Sequence, residues 1–413
     1  MTTRLTIESL GGQGDGVAHT ETGTAFVPFT LPGEIVTAAR EKDRATLMAV
    51  IEPSPLRVEP PCRHFGECGG CSLQHYDLDA YHTWKRDKVV QALLREGVEA
   101  PVGDIIACAP GTRRRVVLTA KRIETGMRLG YNRAQSHTII DIHECPIAVP
   151  EIVAALSTIK ALAGLICKTS QSFQLAVTHT ATGLDIAASG SGELVGAARK
   201  LVSDFVLRER IARLSIDGEI IVEPEKPVIY FGDVAVFPPP GAFLQAVASA
   251  EAAMVALVSG HFGKSKKVLD LFAGSGAFAL RLAKKGEVHA VEGEAAALSA
   301  LDRGFRFGTA LRRVTTEKRD LSRRPVTFKE LNLFDALSFD PPRAGAEEQC
   351  EQIARSTVPL VAAISCNPVT LARDLKILVG GGYRLKSVTP IDQFLWSAHV
   401  EAVALLEKPR KRR

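Results

Sequence analysis

No stretch of this sequence comes near the roughly 18 consecutive apolar residues that a membrane span needs. The N-terminus, Met1-Thr2-Thr3-Arg4, lacks the apolar centre of a signal peptide, so the expected compartment is the cytoplasm. Cysteine is scarce: 8 in 413 residues cannot staple a fold. In a reducing compartment, cysteines that cluster read instead as metal ligands or catalysts. Charge bias is also slight. Lys plus Arg (51) against Asp plus Glu (46) leaves +5, compatible with nucleic acid and proof of nothing. Hydrophobic residues at 46% and charged residues at 23% exclude disordered, collagen-like and low-complexity chains. There is no internal repeat, and the length suits two or three domains at roughly 150 residues each.

Three units are expected: 1–57, 58–236 and 237–413. The first holds short β-type runs at 5–7, 25–27, 35–37 and 46–51, punctuated by glycine turns, which predicts a small OB-like barrel. Its five Lys/Arg against seven Asp/Glu give no electrostatic argument for nucleic acid. Pro53, Pro55, Pro60 and Pro61 mark a linker, and an amphipathic helix is expected over 77–95. Residues 151–230 read as helical and strand scaffold without chemistry. After Pro238-Pro239-Pro240-Gly241, strands and helices alternate to the end, as in a doubly wound sheet.

Val268-Leu269-Asp270-Leu271-Phe272 is a buried-strand run, followed by Ala273-Gly274-Ser275-Gly276 and a helix expected over 277–285. Strand, Gly-x-Gly turn and helix form a nucleotide-type beginning, because glycine lets the backbone approach a ligand. Glu292 ends the next strand, where an acid takes a ribose hydroxyl pair. Ala279 stands where a dinucleotide site has its third glycine, which favours S-adenosylmethionine over NAD. Asp320 follows the third strand and could reach the adenine side. Further on, Asp340-Pro341-Pro342-Arg343-Ala344-Gly345 puts a stiffened acid at a strand's C-terminal end. Cys366 precedes a helix capped by Asn367 and Pro368, where the dipole should lower its pKa. Glu401 is a charge inside an apolar strand, either facing outward or serving as a base beside Cys366.

Cys62, Cys68 and Cys71 lie close together in a glycine-rich segment and imply a metal site, with Cys145 as the best fourth ligand. Spacing alone leaves zinc, completed by His64, His75 or His143, level with an iron–sulfur cluster. Cys108 and Cys167 read as core. Residues 113–133 carry seven Lys/Arg against Glu124 alone, with Arg113, Arg114 and Arg115 as candidate phosphate contacts. The basic tail, 408–413, is expected to be disordered.

These motifs together resemble the S-adenosylmethionine-dependent RNA 5-methyluridine (uracil-C5) methyltransferases, over nearly the whole chain. The resemblance implies an α/β fold: a class I (Rossmann-like) methyltransferase domain, an N-terminal OB-like TRAM barrel and a central α+β iron–sulfur domain. It implies [4Fe-4S] ligation by Cys62, Cys68, Cys71 and Cys145. Phe243-Leu244-Gln245 matches the motif that opens the catalytic domain, although Val247 stands where the family has Asn. The implied cofactor contacts are Gln245, Phe272, Gly274, Gly276, Glu292, Asp320 and Asp340. The implied catalytic set is Cys366 as nucleophile, Glu401 as base, and Asp340, which with Gln245 would hold the base edge. The expected reaction is C5 methylation of uridine in structured RNA, with 23S rRNA ahead of tRNA. A non-catalytic RNA-binding iron–sulfur protein is the alternative of another class. A cytosine-C5 enzyme, a small-molecule methyltransferase and a radical enzyme fit less well; the last would want Cys-x3-Cys-x2-Cys. A monomer with no membrane partner is expected.

Overall fold

The structure is a computed structural model describing residues 2–134 and 136–409. The N-terminal unit is a six-stranded sheet, with strands Thr2–Thr6, Ile35–Glu41, Arg44–Glu52, Gly23–Val27, Gly16–Thr20 and Ser9–Leu10 in spatial order. Its alternating inward residues, among them Leu5, Ala25, Val27 and Val36, make a small core. The expected runs are all strands here. Two more, Gly16–Thr20 and Ser9–Leu10, were not foreseen, because they border the glycine-rich run 11–16 that reads as a turn.

The middle of the chain forms a seven-stranded sheet around Leu118, Leu175, Val177 and Ile186, covered by the helices Leu156–Ile166 and Ala197–Arg208. The helix Leu78–Arg95, capped by Asp77, buries Val89, Ala92 and Leu93 in the C-terminal core rather than in this sheet. Those side chains contribute about 1.5–3 kcal/mol each for the larger two. The hairpin Ile229–Phe231/Val234–Val236 likewise packs with the C-terminal half.

The C-terminal sheet has seven strands. In spatial order they are Val314–Lys318, Glu287–Glu292, Lys267–Leu271, Ala336–Phe339, Leu360–Ser365, Glu401–Glu407 and Arg384–Ile391. The first five are parallel, and Glu401–Glu407 runs antiparallel to both neighbours. Strand order reverses between Lys267–Leu271 and Ala336–Phe339. Ligands of open α/β sheets bind outside the carboxyl ends at that point. The loops bearing Gly274 and Asp340 leave from those ends. The helix expected over 277–285 shrinks to Ala279–Leu282, flanked by turns. Among the described residues no helix is long and apolar enough to cross a membrane. Of the tail, Lys408 is not loose: its Nζ donates to the carbonyls of Ala354 and Ser356 at 2.7 Å. Residues 410–413 lie outside the described residues.

Candidate active site

Sheet register brings Cys366 and Glu401 together. Ser365 is the partner of Ala402, and Ile391 is the partner of Glu401. Cys366, one residue past its strand, and Glu401, at the start of the adjacent strand, therefore share the carboxyl end of the sheet. Cys366 is partly exposed, whereas Glu401 is 2% exposed, so the outward-facing reading of Glu401 is excluded. Asn367 caps the helix Pro368–Gly380 as expected, its Oδ1 accepting from the Val369 amide at 3.1 Å. Its Nδ2 also donates to the Arg343 carbonyl at 3.1 Å, which ties the Asp340–Gly345 loop to the cysteine.

The thiol is not tuned as expected. Burial pushes the Cys366 pKa up, and the nearby Glu401 and Asp340 carboxyls push the same way. Arg343 opposes them by charge and hydrogen bond. Its guanidinium, rather than the helix terminus alone, is the group that favours the thiolate.

A chain of amides joins the two carboxyls. Gln245 Nε2 donates to Asp340 Oδ2 at 2.9 Å, Gln393 Nε2 donates to Gln245 Oε1 at 2.9 Å, and Gln393 Nε2 also donates to Glu401 Oε2. Desolvation raises both carboxyl pKa values, Asp340 to about 7 and Glu401 to about 8; the Asp340 charge raises Glu401 further, and the Glu251 charge raises Asp340. Behind Gln245, Arg114 donates to the Gln245 carbonyl at 3.1 Å and to Glu251 Oε2 at 2.8 Å; Arg281 holds the other oxygen of Glu251 at 2.8 Å. Arg114 is thereby withdrawn from the expected phosphate-binding set, because a buried carboxylate claims it. Lys121, Arg122, Arg128 and Arg133 remain exposed.

As nucleophile and base, the roles expected from the sequence, Cys366 and Glu401 would both need to be deprotonated, and both are held above their usual range. Activity should therefore rise with pH, its acid limb lying well above the usual carboxylate pKa of about 4. A pH–rate profile of steady-state turnover, which includes release of the methylated RNA, checks this; a limb near pH 4 would contradict it.

The loop that carries Gly274 is held in an unusual backbone conformation. Phe272 takes φ 59° without being glycine, and Gly274 and Gly276 take φ 53° and 99°. Such backbone costs on the order of 1–3 kcal/mol at a non-glycine residue and is characteristic of ligand clamps. A Cβ on Gly274 would meet nothing within 4 Å, so open space lies in front of it. Glu292 accepts from the amides of Gly274 and Glu294, both at 2.9 Å. Asp270 is buried beneath, bonded through Oδ1 to Ser338, with Oδ2 unpartnered and its pKa raised by burial to about 7. These residues fit a polar, hydroxyl-bearing cofactor. Asp320 is exposed two residues past its strand and caps Ser322. The sequence reading missed Asp270 and Gln393. The signal was present in both: a charge inside an apolar run, and a polar pair directly after a strand.

A cavity of about 520 Å³ opens onto Cys366. Its lining includes the Gly11–Gln13 turn, Trp84, Lys88, Arg95, Arg343, Asn367 and His399. Elsewhere, Cys62, Cys68, Cys71 and Cys145 line one small cavity. Gly69 fits there only without a side chain, since its Cβ would stand 2.7 Å from the Asn132 carbonyl oxygen. Burial pushes Cys68 up to about 11 and Cys71 to about 12. Among the described residues no group of three or more His, Cys, Asp or Glu is arranged to close on a metal ion.

Comparison with known proteins agrees with this geometry. A tRNA (uracil-5-)-methyltransferase family model matches residues 307–409, and a TRAM domain model matches 1–45. An uncharacterized RNA methyltransferase of Mesorhizobium japonicum is 67% identical over 413 residues, the full length of both chains. A 23S rRNA (uracil(1939)-C(5))-methyltransferase of Pectobacterium atrosepticum is 32% identical, over 97% of this chain and 92% of its own. The tRNA (uracil-54, C5)-methyltransferase of Pyrococcus abyssi, solved with S-adenosyl-L-homocysteine, superposes with TM-score 0.76 at 25% identity, covering 98% of this chain and 99% of that one. The chain belongs to the RNA (uracil-5-)-methyltransferase family, with an N-terminal TRAM domain and a methyltransferase fold that uses S-adenosylmethionine.

Proposed function

We propose that this enzyme forms 5-methyluridine in 23S rRNA. The observation that carries the chemistry is the meeting of Cys366 and Glu401 at adjacent strand ends, at the same carboxyl edge of the sheet as the Gly274 loop. Uracil C5 is a poor nucleophile. Addition of the Cys366 thiolate at C6 places electron density on C5. S-adenosylmethionine, held by Phe272, Gly274, Gly276, Glu292 and Asp320, supplies an activated methyl group. Asp340 and Gln245 hold the base edge, and Glu401 takes the C5 proton so that Cys366 can leave.

The target nucleotide has to leave its stack, at a cost of a few kcal/mol, and the cavity before Cys366 receives it. Loops and bulges lower that cost, which favours structured RNA over duplex DNA. The Pectobacterium relative favours rRNA; the Pyrococcus structure supports a tRNA target as the second reading. Mapping 5-methyluridine in rRNA and tRNA from a strain lacking the gene separates them. We place the enzyme in the cytoplasm as a monomer, with units at 1–57, 58–236 and 237–413.

Cys62, Cys68, Cys71 and Cys145 would hold a [4Fe-4S] cluster. Four sulfurs line one cavity, and buried thiols ionise only beside a cation. Of the three candidate histidines His64 alone lines this cavity, and its Nε2 already accepts from the His143 amide at 3.1 Å. The methylation has no redox step, so such a cluster would order the segment around Cys62–Cys71. Protein purified without oxygen should be brown and carry about four irons per chain. Stoichiometric zinc would overturn the assignment.

A further inference from the structure

Gln393 is 2% exposed and follows the strand Arg384–Ile391. The backbone on both sides of it is pinned by the helix Leu78–Arg95. Tyr81 and Lys85 donate to Asp392, and Lys85 Nζ donates to the Phe394 carbonyl at 2.9 Å. Both of its side-chain N–H groups are used, one toward Gln245 Oε1 and one toward Glu401 Oε2. The reverse orientation of this amide would set its oxygen against two acceptor oxygens, so the network fixes one orientation. Two buried acceptors are then left without partners: Gln393 Oε1 and Glu401 Oε1. A buried unsatisfied acceptor costs about 1–3 kcal/mol and is kept where something else will use it.

We propose that Gln393 is a positioning residue for proton removal: by occupying Glu401 Oε2 it turns Oε1 toward the substrate as the single basic atom. This rests on the assignment of Glu401 as the base. In the methylated adduct, the proton on C5 passes to Glu401 Oε1. The electrons of the C5–H bond form the C5=C6 double bond. The bond from C6 to Cys366 Sγ breaks, and sulfur leaves with its pair as a thiolate beside Arg343. Gln393 therefore acts on adduct resolution and not on thiolate addition or methyl transfer.

The test uses full-length Gln393→Met, which keeps the side-chain length and removes both donors. A second variant, Gln393→Glu, is isosteric and when ionised cannot donate to Glu401. The substrate is rRNA and tRNA purified from a strain lacking the gene. Each variant should retain a one-equivalent burst of methyl transfer and a KM for S-adenosylmethionine within about twofold of the unaltered enzyme. Adduct resolution should slow about 10- to 100-fold, the scale of a small misplacement of a reacting group. A denaturation-resistant protein–RNA adduct should accumulate during turnover. A variant that binds S-adenosylmethionine normally and resolves the adduct at the unaltered rate overturns the proposal. So does loss of the methyl burst in both variants. If the unaltered enzyme makes no 5-methyluridine, the functional assignment fails instead.

Discussion

Cys366→Ala should abolish 5-methyluridine formation while leaving the fold and S-adenosylmethionine binding intact. The side chain is partly exposed at the end of the strand Leu360–Ser365, and its neighbours are held by other groups: Asn367 by Val369 and Arg343, Ser365 by the Asn367 amide at 3.1 Å. Truncation to alanine therefore removes one sulfur and little packing. The chemical loss is large, because uracil C5 has no other route to nucleophilic character in this site. Removal of an obligatory nucleophile costs on the order of 10⁴–10⁶ in turnover. Arg343 and the cofactor loop remain, so binding of S-adenosylmethionine and RNA should change by less than about threefold. RNA carrying 5-fluorouridine gives the decisive reading. Fluorine cannot leave C5 as a cation, so the unaltered enzyme should stay joined to such RNA through Cys366 after methyl transfer. The alanine variant should bind the same RNA and release it on denaturation. Full turnover by that variant would remove the covalent mechanism.

How these groups meet was only partly legible in the sequence. The strand–turn–helix around Gly274 was readable because local rules govern it: an apolar run, two glycines and an acid at the next strand end. The Asn367 cap was readable for the same reason, since capping involves neighbours in the chain. The thiol pKa was not. Its direction is decided by desolvation and by Glu401, 35 positions away in sequence and adjacent only through sheet register. The fate of Arg114 was hidden in the same way. In sequence it is the middle of a basic run; in the fold it neutralises Glu251, from a different unit of the chain. Lys85 shows a further limit. A lysine on a helix reads as solvated, yet this one is fully buried against Asp392, because the helix Leu78–Arg95 is sandwiched on the catalytic half. Long-range pairings of charge are what a single sequence conceals, and here they fix the turn that carries Gln393.

Glu401→Gln should convert the enzyme from a catalyst into a trap. The amide has nearly the shape of the carboxyl it replaces, so the register of Ile391 with residue 401 and the packing around it are kept. Thiolate addition and methyl transfer precede the need for a base, so one methyl group per enzyme should still be transferred. The adduct then holds a proton on C5 that no group can accept. Loss of a general base slows a step by about 10²–10⁴-fold, which is long enough for the methylated RNA to be isolated bound to Cys366. Stability separates this outcome from damage to the fold. The Glu401 pKa is raised in the folded protein by burial and by Asp340, so the native state holds a proton that the unfolded chain releases. Its contribution is fully present below the ordinary carboxylate pKa and is lost as pH rises through the raised folded value. An uncharged amide has no such loss, so the variant should match the unaltered protein in acid and exceed its melting temperature toward pH 8. A trapped adduct in a protein more stable than its parent would tie the missing step to the proton on C5. A variant that turns over at the parental rate would show that another group removes it.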